Sequence, residues 1–588
     1  MTRFFPFIVL AGIAACAGTA AAQTAANPAD LGTAVAAQIS CASIFVSGRA
    51  EADVLRDDVH ALAPFARAVT LSVDRKRLTV AAAAPGARTR TALYRPAVGC
   101  TLLTGKTPVA ALEKQVERLR PMKARRDDGA RLTSITATRS AVIDHAALDA
   151  AVRRAFEEQN KGGYPDTRAI VVVQHGVIVA ERYAPGFDRG TRLLGWSATK
   201  SITSALIGLL VDDGVLRLDE PAPVPEWQGA GDPRAAITLR QLLNMASGLT
   251  FKEDYESDSD ALKMLFGAGD MGAYAASRPL QHAPGTTWSY SSGTTNILSG
   301  IVFRATGGTL DGVTRFARTC LFEPAGMLSA LIEPDEAGVP VGSSYGYATA
   351  RDWARFGQLF LDRGAAGGKQ VLSREWVDFV LTPTAAAPRL LYGGQFWLNR
   401  GDESGARKRM FVGLPADTFM AMGHNEQIVA VIPSLDAVVV RLGWTPEGMD
   451  FDSNKYIAEI AATLEPVASS AKEPPAASSA SAAATQERLA AALVQLAKQT
   501  DGIVGVAIQR ADGGPVTTLN SGVPDGEHIQ DRGRWRNLRA YRSRRARPRP
   551  DDHGRSGDDR EFGRHRRAVA APRRVTLNLQ SARVDADP

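Results

Sequence analysis

The sequence predicts a mixed α/β fold, an antiparallel sheet with a helical region, preceded by a small α+β N-terminal domain. Three observations carry this. AIVVVQHG followed by VIVAERYAP, with His175-Gly176 at the turn, reads as a β-hairpin near the start of the larger unit. QIVAVIPSLDAVVVRLGW returns to strand character near its end. Between them, apolar residues recur at helical spacing, so the terminal strands are expected to pair in one sheet with helices beside it.

At 588 residues the chain exceeds one ordinary domain. Residues 1–22 read as a signal peptide: Arg3, an apolar run from Phe4 to Ala15, then Ala20-Ala21-Ala22 as a cleavage site. Ile13-Ala14-Ala15-Cys16 offers the alternative of a lipid anchor at Cys16, and no other segment resembles a transmembrane span. A secreted or periplasmic location is therefore expected, and it permits disulfides. Residues 23–128 form the N-terminal domain, with RAVTLSV and RLTVAAAA as strands and ALEKQVERLRPMKARR as a closing helix. Cys41 and Cys100 bracket its strand-rich part and are expected to bridge, while Cys320 in GVTRFARTCLF reads as a small core residue. Residues 130–464 form the main unit, opening with the helical HAALDAAVRRAFEEQN. Residues 465–485 are an Ala/Ser/Pro linker. A helix (QERLAAALVQLAKQTDG) and a hairpin (IVGVAIQRADGGPVTTLNSG) fill 486–521, and periodicity vanishes over 522–588.

The net charge of +7 resides in that last segment, which holds 17 arginines, no lysine and 10 carboxylates, so the other 521 residues balance to zero. The body therefore gives no bulk electrostatic case for a nucleic-acid partner. Eight histidines without an H-x-H or H-E-x-x-H arrangement argue against a metal, and no cofactor motif is present.

Ser197-Ala198-Thr199-Lys200 opens a helical pattern continued by Ile202, Leu206, Leu209 and Leu210. Three-residue spacing puts Ser197 and Lys200 a turn apart on one face. A hydroxyl needs a base to become a nucleophile, and an apolar helix lowers a lysine pKa toward that role. Further on, Pro284-Gly285-Thr286-Thr287-Trp288-Ser289-Tyr290-Ser291-Ser292 places a Tyr and a Ser two apart after a turn, the phenol serving as an acid/base group. Gly423-His424-Asn425-Glu426-Gln427 leads into the strand IVAVIP and can offer side chains and a backbone N–H to a bound acyl group.

These elements, in this order, resemble the serine β-lactamase and penicillin-binding-protein superfamily, most closely its class C-like branch of esterases and 6-aminohexanoate-dimer hydrolases. TLRQLLNMASGLTF and ATARDWARFGQLFLDRG add to the resemblance. It implies a β-lactamase-like fold and a serine hydrolase acting through an acyl-enzyme on a small-molecule ester, amide or β-lactam. Ser197, Lys200 and Tyr290 would be catalytic; Tyr255 (in KEDY), Ser292, His424 and Gln427 would bind substrate, the Gln427 N–H completing the oxyanion hole with that of Ser197. Glu426 stands where the family usually has Gly, and is expected to crowd the site and repel acidic β-lactams. Two alternatives remain: a penicillin-binding sensor that acylates without turnover, and an α/β-hydrolase using Ser344 of Gly342-Ser343-Ser344-Tyr345-Gly346.

Residues 486–521 resemble the start of a class A β-lactamase domain. Shifted by one base, suitable synonymous codons for VPDGEHIQDRGRWR would encode FPMASTFKIAVAG, so residues 522–588 are expected to be a frameshifted tail unable to fold.

Overall fold

A computed structural model of the chain describes residues 28–61, 64–119, 133–134, 143–157, 167–254, 259–402, 408–445, 452–466, 504–508 and 517–521. The expected signal peptide with Cys16, Tyr255, most of the linker, the helix after 486 and the 522–588 tail lie outside them.

The N-terminal part has helix Pro28–Cys41 laid on an antiparallel sheet of β1 (Thr70–Asp74), β2 (Thr79–Ala83), β3 (Arg90–Arg95) and β4 (Gly99–Leu102), in that order. Cys41 and Cys100 form the expected disulfide, both residues fully buried. Closing a loop of 59 residues stabilises the fold by about 4 kcal/mol in the chain-entropy model. Ala29–Val46 is, by length and composition, apolar enough to cross a membrane, a property that the sequence pattern alone did not single out. Its apolar character goes into protein core instead, with 83% of the stretch buried.

The N-terminal part shares its apolar core with the main unit rather than having one of its own. Leu31, Ile39 and Val46 belong to the same buried cluster as Val171, Leu206 and Trp353. Polar contacts reinforce the junction. Glu333 accepts the Cys100 N–H at 2.6 Å and the Gln38 amide at 2.8 Å, and Glu336 accepts the Thr104 N–H at 2.7 Å. Asp58 is buried between Arg49, at 2.6 Å, and Arg168.

The main sheet comprises β5 (Thr133–Ser134), β6 (Thr167–Gln174), β7 (Val177–Tyr183) and, after smaller sheets of β8 (Arg192–Leu194), β9 (Leu331–Ile332) and β10 (Gly346–Thr349) and of β11 (Ala365–Ala366) and β12 (Lys369–Gln370), strands β13 (Trp397–Leu398), β14 (Phe419–Gly423), β15 (Gln427–Ile432) and β16 (Ala437–Gly443). Its order is β13-β14-β15-β16-β6-β7-β5, so the terminal strands pair as expected, β16 against β6. The β6–β7 turn falls at His175-Gly176, both with positive φ (51° and 70°), as a two-residue hairpin of matching twist requires. Successive side chains alternate between faces. Val171, Val173, Val429 and Val440 face the helical region with Ile202 and Phe356, whereas Ile170, Val172, Ile428 and Val439 face helices His145–Glu157 and Ser453–Ala461. Burial on both sides explains the unbroken apolar runs.

A second unit, Ser469–Pro588, contains β17 (Val504–Ile508) paired antiparallel with β18 (Thr517–Ser521), the hairpin expected there.

Candidate active site

Ser197 lies in a single 3₁₀ turn, Trp196–Ala198, that runs into helix Thr199–Asp212. Trp196 adopts φ +46°, a region costly for a bulky residue and held here by packing: Tyr345, His424 and Trp444 surround its ring at 5.6–6.4 Å. Residues Thr199 to Leu210 are all buried, so the helix is interior on every side rather than amphipathic. Its small hydroxyls are absorbed by neighbouring carbonyls: Ser201 and Ser204 donate to Gln395 and Gly394, and Thr203 to Gly342. Ser197 itself stays partly exposed.

Lys200 is 1% exposed, and its Nζ lies 2.9 Å from Ser197 Oγ, 2.9 Å from Ser292 Oγ and 3.1 Å from the Ser343 carbonyl. Burial pushes its pKa down to about 8, against an opposing pull from the Glu253 carboxylate. Tyr290 comes beside it, ring centroid 4.9 Å from Nζ, and packs with Trp288, Tyr392 and Trp397 into an aromatic wall. Ser292 starts helix Ser292–Ala305, capped by Ser291, so the short Tyr-Ser-Ser run delivers phenol, cap and hydroxyl to one place. Its hydroxyl sits between Lys200 and Glu253 rather than facing open space.

Glu253 is a site residue that the sequence motifs did not single out. Its carboxylate accepts both the Ser292 N–H, at 2.7 Å, and the Ser292 hydroxyl, at 2.5 Å. The available signal was its place in the KEDY run, two residues from Tyr255.

The His424-Asn425-Glu426 segment differs from expectation. It forms the three-residue turn between β14 and β15, Gly423 pairing with Gln427 across it. Gln427 therefore already lies on the return strand, its side-chain amide donating to the His424, Asn425 and Gly443 carbonyls. The backbone that abuts Ser197 is instead that of Gly423 on β14: a Cβ there would stand 2.1 Å from the Gly195 carbonyl and 2.9 Å from the Ser197 nitrogen. Glu426 does not crowd the site. With φ +61° in the turn, its carboxylate accepts the Ser453 hydroxyl at 2.6 Å, toward the helix on the opposite face of the sheet. His424 sets its ring edge-on to Trp196 at 5.6 Å, and burial lowers its pKa to about 4, leaving a neutral imidazole at neutral pH.

The G-x-S-x-G alternative fails on geometry. Ser344 is 3% exposed, and its hydroxyl meets that of Ser343 at 2.8 Å. Both glycines serve close packing on the Ser197 helix: a Cβ at Gly342 would meet Thr203 at 2.3 Å, and one at Gly346 would meet Thr199 at 2.5 Å. The segment supplies Lys200 with a carbonyl, not a nucleophile.

Residues 152–462 match the family model described as Beta-lactamase, more than half of the chain. The chain belongs to the beta-lactamase family. Among the relatives of this beta-lactamase-family chain is the 6-aminohexanoate-dimer hydrolase of Paenarthrobacter ureafaciens, 28% identical over 323 residues, covering 51% of this chain and 78% of that protein. Esterase EstB of Burkholderia gladioli is 30% identical over 220 residues, covering 33% of this chain and 54% of that esterase, about half its length. Among solved structures, a penicillin-binding protein homologue from Caulobacter crescentus aligns with a TM-score of 0.43 at 19% identity, over 55% of this chain and 98% of that one. The fold is thus beta-lactamase-like, with an antiparallel main sheet and a helical region.

Proposed function

We propose that this protein is an exported serine hydrolase that forms an acyl-enzyme on Ser197 with esters and small amides. The observation that carries the reading is the 2.9 Å contact between Ser197 Oγ and a buried lysine whose pKa lies near 8. Neutral Lys200 takes the Ser197 proton as the oxygen attacks the substrate carbonyl carbon. Negative charge then develops on the carbonyl oxygen, beside the Ser197 N–H where β14 packs close at Gly423, in place of the Gln427 donor expected from sequence. The proton held on Lys200 passes, with Tyr290 alongside, to the leaving alkoxide or amine as the C–O or C–N bond breaks. Water attacks the acyl carbonyl in the second half, with the same groups in reverse. The names of the two curated relatives, an amide hydrolase and an esterase, support carbonyl substrates of this class. The buried disulfide supports export to an oxidising compartment.

Esters are favoured over β-lactams because neutral His424 brings no charge to a substrate carboxylate. We expect p-nitrophenyl acetate to turn over faster than benzylpenicillin. His424→Lys should shift that ratio toward the penicillin, and Glu426→Gly should leave it unchanged, since Glu426 is tied to Ser453. Faster hydrolysis of benzylpenicillin, or acylation without release for both compounds, would contradict the proposal.

A further inference from the structure

A neutral lysine amine has two hydrogens and one lone pair, and among the described residues Lys200 has three partners at bonding distance. The Ser343 carbonyl only accepts, so it takes one hydrogen. The Ser197 and Ser292 hydroxyls can each donate or accept, and only one of them can meet the lone pair. If Ser292 donated to it, Ser197 would have to accept from the amine, and its own proton would point away from the base. Glu253 decides between the two. An ionised carboxylate accepts only, and Glu253 Oε1 lies 2.5 Å from Ser292 Oγ, so the Ser292 hydrogen goes to Glu253. Ser292 must then accept from Lys200. The lone pair is left facing Ser197. The carboxylate is fixed by its second oxygen, which takes the Ser292 backbone N–H at 2.7 Å in the first turn of helix Ser292–Ala305.

We propose that Glu253 is a positioning residue: through the Ser292 hydroxyl, it aims the lone pair of Lys200 at Ser197. This rests on Lys200 being the base for Ser197. Among the described residues, the charged and titratable groups facing Lys200 are Glu253 from the loop after Leu249 and Tyr290 from the segment before helix Ser292–Ala305. The charge of Glu253 raises the lysine pKa, against the burial that lowers it, so direct electrostatics and aiming have separable signatures.

Glu253→Gln separates them. The Ser292 backbone N–H can only donate, so it claims the glutamine oxygen, and the amide nitrogen is left to donate to the Ser292 hydroxyl. That hydroxyl is then turned onto Lys200. Glu253→Gln should therefore lose about 100-fold in kcat for p-nitrophenyl acetate, within the range of general-base effects. The loss should persist on the high-pH plateau, where Lys200 is neutral with or without Glu253, while the rising limb of the pH profile moves to lower pH. KM and melting temperature should hardly move. Removing the reversed hydroxyl should relieve the defect, so Glu253→Gln/Ser292→Ala should be at least as active as Glu253→Gln alone. A Glu253→Gln plateau within about threefold of the parent would overturn the proposal, as would losses that multiply in the double variant. Ser197→Ala is run in parallel. If it keeps its activity, the underlying site assignment falls; if it is inactive while Glu253→Gln is parent-like, only the role of Glu253 falls.

Discussion

Lys200 is where stability and chemistry oppose each other. Holding an ammonium in a fully buried position is unfavourable, and the fall in pKa from 10.5 to about 8 corresponds to roughly 3 kcal/mol at pH below 8. Because the unfolded chain binds this proton up to a higher pH than the folded one, stability from this group rises with pH between about 8 and 10.5. Lys200→Met should therefore abolish hydrolysis yet melt higher than the parent near pH 7, and the gap should shrink as pH approaches 10. In the parent, kcat/KM should rise with pH around a midpoint near 8. Melting curves and rate profiles across pH 6–10 check both. Ser197, Lys200, Tyr290 and Ser292 were legible because two short motifs carry them, each on one local element. Glu253 and Glu426 were not. Glu253 meets Ser292 only through tertiary folding, 39 positions away, and the direction of Glu426 depends on a left-handed turn that spacing does not reveal.

Helices and strands place these residues by approaching more closely than side chains allow. β14 reaches the Ser197 turn only because Gly423 has no Cβ, and the 342–346 segment reaches helix Thr199–Asp212 only through Gly342 and Gly346. Gly423→Ala should leave the chain folded but lower kcat/KM by more than about tenfold, since relieving the 2.1 Å contact moves β14 or the Ser197 turn by about 1 Å in a site sensitive to such shifts. Ser344→Ala should stay within about twofold of the parent. Steady-state ester hydrolysis with circular dichroism checks the pair; a reversed ranking would reinstate the G-x-S-x-G motif. The long strands β6, β7, β15 and β16 were readable as β-branched runs punctuated by turn residues. β3 and β4 were not, because Arg90–Arg95 and Gly99–Leu102 lack a clean apolar alternation.

Over the main unit, the sequence boundary near residue 128 is no break in the core, which joins residues from both sides of it. An interface built from buried residues such as Glu333, Cys100 and Asp58 is invisible to a pattern read one segment at a time, because its partners are far apart in the chain. At the other end, the main unit extends slightly beyond the expected Leu464: the Glu465 carbonyl accepts the Gln174 amide at 2.8 Å. A chain ending after Pro466 should retain the parent's ester hydrolysis and melting temperature, and loss of either would make the later residues a working part. Coding DNA whose codons at Glu527–Gln530 are incompatible with Ser-Thr-Phe-Lys in the shifted frame would dismiss the frameshift proposed for 522–588.

Every step proposed for this site requires that Ser197 carry the acyl group. Incubating the full chain with a fluorophosphonate, digesting it and mapping the adduct by peptide mass tests this most directly. One modified serine, Ser197, is expected, with at least about a thousandfold loss of hydrolysis in Ser197→Ala. Labelling at Ser344, or at any serine other than Ser197, would contradict it.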